Sequence, residues 1–130
     1  MLTHNAPEHV ELSIRSVRER TEGISYELIV LDNASENETV SLVANLHEEG
    51  LIDKLKLLDY NSLFAEGNNI AAKLASADSS HFLLLNSDIE VKNPNWLSHL
   101  LAVQRRGMTS YGLVGNPRRG CGTDSGQLPL

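Results

Sequence analysis

The stretch from residue 60 to residue 91, YNSLFAEGNNIAAKLASADSSHFLLLNSDIEV, decides the fold. Its strand, His81-Phe82-Leu83-Leu84-Leu85, is apolar without alternation, as expected of a parallel strand covered on both faces. Asn86-Ser87-Asp88 follows at the carboxyl end, where open α/β sheets place their ligands. Upstream, Gly67-Asn68-Asn69 opens a helix of small residues that runs from Glu66 to Ala75.

The same alternation continues in both directions. Val10, Ile14 and Val17 fall at helical spacing, so residues 7–21 predict an amphipathic helix with Asn5 as N-cap and Pro7 near its first position. Tyr26 to Leu31 reads as a buried strand that stops at Asp32-Asn33. Ser35 or Asn37 then caps a helix whose Val40, Val43 and Leu46 keep helical spacing up to Gly50. Leu55 to Leu58 is a short strand. Pro94 opens a helix with Trp96, Leu97, Leu100 and Leu101 on its apolar face, and Tyr111 to Val114 is a last strand. Strands alternating with helices predict a Rossmann-like three-layer α/β/α domain with a mostly parallel sheet. One domain over residues 1–116 is expected, with 117–130 as loop or disordered tail. Only Met1 to His4 precede the first helix, so almost all of an opening strand is expected to be missing.

A net charge of −6 argues against nucleic acid as a partner. Cys121 is the one cysteine, so no internal disulfide forms and a reducing compartment fits. No apolar run approaches the roughly 20 residues of a membrane span, and no signal-peptide pattern opens the chain. A cytoplasmic location is expected, with peripheral membrane contact left to segments outside the chain.

Asp32 and Asp88 both close strands of one parallel sheet and so share an edge. Asp32-Asn33 can hydrogen-bond a base or ribose, although a plain turn capped by Ser35 explains the same residues. Gly67 allows close backbone approach beside a helix start that favours phosphate, although ordinary capping by Asn also fits. Asp88 suits Mg²⁺ or Mn²⁺, cations commonly held by one or two carboxylates plus substrate phosphates.

In order and register, these segments resemble the family 2 glycosyltransferases of the GT-A fold. Thr3-His-Asn5-Ala-Pro7-Glu is similar to the family's T-Y-N-x-P-E, and Leu28-Ile-Val-Leu-Asp32-Asn33-Ala-Ser35 to its I-V-V-D-N-A-S. Asn61-Ser-Leu-Phe64-Ala-Glu-Gly67-Asn68-Asn69 is similar to its N-x-G-F-A-x-G-N-N, and Leu84-Leu-Asn86-Ser87-Asp88 to its L-N-x-D. The match extends through Pro94-Asn-Trp96-Leu and Gly112-Leu-Val-Gly115. The Asn68-Asn69 and L-N-x-D forms lean toward the rhamnosyltransferase-like branch.

The resemblance implies transfer of a sugar, with inversion, from a nucleotide-diphospho-sugar donor to a glycan or lipid-linked acceptor hydroxyl, as in cell-envelope polysaccharide synthesis. It implies that Thr3 and Asp32 hold the base with Asn33 and Ser35 nearby, that Asn68 and Asn69 face the ribose or diphosphate, and that Asp88 holds Mn²⁺ or Mg²⁺. Asn5, Gly67, Asn86 and Ser87 complete the expected substrate-binding set. Asn86 stands where a D-x-D motif carries its first acid. The half that carries the family's catalytic base should begin after residue 116, where no such motif follows, so the chain is expected to be truncated at both ends and to turn over nothing by itself. Two rivals remain: a non-catalytic α/β nucleotide-binding or interaction module, and a receiver-like domain using Asp32 and Asp88, which lacks a clear partner lysine.

Overall fold

The computed structural model describes residues 1–105 together with the backbone of 114–115. Its elements are β1 (Leu2–Thr3), α1 (Pro7–Arg20), β2 (Ile29–Asn33), α2 (Asn37–Glu48), β3 (Lys54–Leu58), α3 (Leu63–Lys73), β4 (Phe82–Leu83), α4 (Trp96–Arg105) and β5 (Val114–Gly115). Strands β1, β2 and β3 form a parallel sheet in that order, with Leu2 opposite Leu31, Thr3 opposite Asp32, and Ile29 opposite Lys54. The expected α/β fold with a parallel sheet flanked by helices is thus the observed one.

Successive side chains of β2 point to opposite faces of the sheet. Val30 enters the core, where it meets Val10, Ile14 and Val17 of α1, Val43 and Leu46 of α2, and Leu28 and Ile52. Leu31 is equally buried but lies outside that cluster, on the face shared with its ladder partner Leu2. There α3 covers the sheet: a Cβ built on Gly67 would lie 2.7 Å from Leu2 Cδ1 and 2.9 Å from Ser62 Oγ. Glycine at 67 therefore lets the helix approach β1 closely. On the same edge, Asp32 shares the face of Val30, and Asn33 shares the face of Leu31.

Several boundaries differ from those expected. The strand read over 26–31 occupies 29–33, because Asp32 and Asn33 find buried hydrogen-bond partners and stay in the ladder, while Leu28 N–H turns to the Asp53 carboxylate at 2.6 Å. The 81–85 strand is reduced to Phe82–Leu83, pairs antiparallel with β5, and is only half-buried. Leu84 and Leu85 leave it to line a cavity with Leu2. Helix α3 starts at Leu63 rather than Glu66. Residues 111–113 of the last expected strand, and the expected tail over 117–130, lie outside the described residues.

None of the expected N-caps, Asn5, Ser35 or Asn37, caps its own helix, and Asn37 is instead the first residue of α2. Ala6 precedes α1 in the left-handed conformation without a side-chain cap, and Glu36 precedes α2 in an extended conformation, also without one. Asn5 and Ser35 are engaged across the sheet edge instead. The segment leading into α4 crosses the far end of α1: Ser16 Oγ accepts from Val91 N–H at 3.0 Å, Pro94 O from Glu22 N–H at 3.0 Å, and Thr21 Oγ1 from Trp96 Nε1–H at 2.9 Å.

Ser13, fully buried on α1, has a hydroxyl with no hydrogen-bond partner among the described residues. An unpaired buried polar group costs about 1–3 kcal/mol. Ser13→Ala is therefore expected to raise the melting temperature by a few degrees. A fall of similar size in thermal unfolding would show that the hydroxyl is satisfied.

Candidate functional site

The turns that follow β1 and β2 meet at the carboxyl edge of the sheet and are bound to each other. Asp32 is 0% exposed. Its Oδ1 accepts from Thr3 Oγ1–H at 3.1 Å and from Ser35 Oγ–H at 2.5 Å, and its Oδ2 from Ser35 N–H at 2.9 Å. The Ser35 hydroxyl in turn accepts from Asn5 N–H at 2.7 Å, and Asn5 Oδ1 accepts from Glu36 N–H at 2.8 Å. A carboxylate offers about four acceptor positions, so three are used internally.

Asn33 performs a similar office on the other face. Its Oδ1 accepts from Ser62 N–H at 2.7 Å and Ser62 Oγ–H at 2.8 Å, while its Nδ2 donates to Asn61 Oδ1 at 2.7 Å. Asn61 Oδ1 also accepts from Leu63 N–H at 2.9 Å. The backbone carbonyl of Asn33 accepts from His4 Nδ1–H at 2.9 Å. The end of β2 is thereby fixed to the start of α3.

The backbone is strained around this edge. Asn5, Ala6, Ala34 and Leu63 all hold φ between 55° and 58°, a conformation that costs a non-glycine residue about 1–2 kcal/mol. All four follow the ends of β1, β2 or β3. Such strain persists where surrounding bonds over-determine the chain, and it gathers at functional sites. Just before α3, the Tyr60 hydroxyl donates to Oε1 of Glu66 in the helix's first turn at 2.8 Å, and that bond raises the pKa of the phenol.

Beside this network lies a cavity of about 270 Å³, lined by Leu2, Phe64, Asn68, Leu84, Leu85, Asn86, Ser87 and Asp88. The lining mixes leucines and a phenylalanine with amide, hydroxyl and carboxylate groups. Asn68 is 8% exposed and donates from Nδ2 to Phe64 O at 2.7 Å, which leaves its amide oxygen uncommitted among the described residues. Asp88 is exposed and, among the described residues, is the one charged member of the lining. No group of three His, Cys, Asp or Glu side chains able to hold a metal occurs among the described residues. The oxygens of Asp88, Asn86 and Ser87 are nonetheless hard donors, suited to a cation that draws its remaining ligands from substrate phosphates.

The residues singled out in the sequence thus fall into two adjoining groups. Thr3, Asn5, Asp32, Asn33 and Ser35 form the hydrogen-bonded turns, whereas Asn68, Asn86, Ser87 and Asp88 line the cavity. Gly67 lies between them, against Leu2 and Ser62. Asn69 is exposed on α3 and does not line the cavity. The residue-by-residue reading missed the roles of Leu2, Leu84, Leu85, Asn61 and Ser62. Asn61 and Ser62 open the quoted N-x-G-F stretch, but their links to Asn33 span separations of 28 and 29 residues that no local pattern carries.

A sequence profile described as Glycosyl transferase family 2 matches residues 1–129. No curated protein matches the chain. Among solved structures, residues 1–349 of S. aureus TarS align with a TM-score of 0.64 and 21% identity over 82% of this chain and 31% of that one. The same TarS fragment in complex with UDP gives the same values. S. aureus TarS aligns at 18% identity and a TM-score of 0.64, over 82% of this chain and 19% of that one. The chain therefore spans under a third of these structures, and at such identity the likeness is one of fold.

Proposed function

Since the chain belongs to glycosyl transferase family 2, we propose that its sheet edge binds the donor of an inverting sugar transfer, a nucleotide-diphospho-sugar. The observation that carries this reading is the mixed apolar and polar lining of the cavity. Its Leu2, Phe64, Leu84 and Leu85 side chains suit the C–H face of a sugar or ribose ring, while Asn68, Asn86 and Ser87 suit hydroxyls and phosphate oxygens. The UDP-bound state of TarS, a structure of the same fold, supports a nucleotide at this edge.

Asp88, with Asn86 and Ser87, would hold Mn²⁺ or Mg²⁺. A divalent cation there would neutralise the diphosphate leaving group. Asp88 is itself negative, and no lysine or arginine among the described residues lines the cavity, so this lining would repel a bare diphosphate. Thr3 and Asp32 are both fully buried in this structure, so contact with the base through the one uncommitted acceptor position of Asp32 would require their turn to open, with Asn33 and Ser35 holding the turn otherwise. Asn68 would position the ribose or diphosphate.

In the transfer, an acceptor oxygen bonds to the anomeric carbon as the bond to the diphosphate breaks, inverting that carbon. The acceptor proton passes to a carboxylate base. Asp88 cannot serve both as metal ligand and as that base, so the base belongs to another part of the protein. The acceptor is a glycan or lipid-linked hydroxyl, and the motif forms favour a rhamnosyltransferase-like member. The same single carboxylate favours the second reading, a donor-binding module without catalysis of its own.

The experiment is calorimetric titration of UDP with and without Mn²⁺, followed by assay of sugar transfer and donor hydrolysis. Mn²⁺-dependent binding with turnover supports the transferase, binding without turnover supports the module, and no binding of any nucleoside diphosphate refutes both.

A further inference from the structure

We propose that Asn33, Asn61 and Ser62 form a strut that positions the cavity wall by holding Leu63 in the left-handed conformation. This inference rests on the donor-site reading only for what the cavity binds. Leu63 has φ 58° and is 73% exposed. Burial therefore contributes little to keeping it there, and its side chain disfavours the conformation. It also stands where the similar family pattern carries glycine, the residue free to adopt that φ.

What holds the turn is on the preceding side. Asn61 Oδ1 accepts from both Asn33 Nδ2–H and Leu63 N–H, while Ser62 gives both its N–H and its hydroxyl to Asn33 Oδ1. Asn33 is 3% exposed and anchored in β2. The strut therefore references the first residue of α3 to the central strand of the three-stranded sheet. Phe64, which lines the cavity, comes next in the chain. Asn68 follows one turn later, tied to Phe64 O. Gly67 seats that turn against Leu2 and Ser62. A change of φ at Leu63 would swing Phe64 and Asn68 away from Asn86, Ser87 and Asp88 together. Asn61 and Leu63 are thus positioning residues, acting on the ligand through the two that line the cavity.

The test is a double-mutant cycle in the full chain between Asn61→Ala and Leu63→Gly. The readouts are UDP affinity in the presence of Mn²⁺ and backbone amide exchange over residues 60–70. Without the strut, Leu63 escapes to its preferred conformations and the competent fraction falls, so Asn61→Ala should raise the UDP Kd about tenfold. Amide exchange in the first turn of α3 should quicken by a similar factor of about ten. Leu63→Gly should bind UDP as well as or better than the parent. In the Leu63→Gly background, Asn61→Ala should cost under about threefold, because glycine keeps the turn without help. An equal loss in both backgrounds would show that Asn61 acts by touching the ligand and would overturn the proposal, as would no effect in either. If the parent fails to bind UDP, the donor-site reading falls, and the exchange data still decide the strut.

Discussion

Replacing Asp88 with Asn should lower UDP affinity in the presence of Mn²⁺ by about 10- to 100-fold or more, the range seen when even supporting partners of a metal ligand are lost. The change preserves size and removes the one charge that the described residues place in the cavity lining. Asp88 is exposed and makes no side-chain hydrogen bond among the described residues, so the melting temperature should hardly move. With the metal chelated, the order should narrow or invert. The parent then presents a bare carboxylate to a diphosphate, which the amide variant does not. Unchanged Mn²⁺-dependent affinity in Asp88→Asn would remove Asp88 from the metal site.

Asp32→Ala should act first on stability. It leaves Thr3 Oγ1–H, Ser35 Oγ–H and Ser35 N–H without their acceptor, and Thr3 is itself fully buried. Stranded donors cost about 1–3 kcal/mol each where water cannot replace the partner. Half-buried Ser35 recovers part of that loss, so about 2–5 kcal/mol is expected, against the roughly 5–15 kcal/mol that holds a domain together. Denaturant unfolding gives the figure directly. A loss under about 1 kcal/mol, the net worth of a single ordinary hydrogen bond, would show that the ring of bonds around Asp32 contributes little. Nucleotide affinity of whatever folded protein remains then reports separately on contact with the base.

Helices were legible where periodicity and punctuation agree. Pro7, the Val10-Ile14-Val17 spacing and Glu8 in the first turn place α1 within a residue of its observed end. The parallel pairing of β2 and β3 was implied by their alternation with helices. Hydrophobicity placed β2 too early, because a ladder residue need not be apolar if its polar atoms are paired, as those of Asp32 and Asn33 are. It overrated Leu84 and Leu85 for the opposite reason: an apolar run can line a cavity as readily as fill a sheet. Asn5 and Ser35 carry the usual signature of helix caps, yet both spend their hydrogen bonds across the sheet edge. Turn chemistry alone could not choose between those partners, since they lie 30 residues apart.

Trp96 is the one tryptophan in the chain. Its indole packs partly against the α1–α2 core and donates to Thr21 Oγ1 just beyond α1. The protein thus carries its own optical probe at a single seam. Red-shifted, quenchable emission would report that α4 has lifted from α1, while the circular dichroism of the helices persists. Emission and dichroism that change together would mean instead that α4 leaves only when the whole domain unfolds.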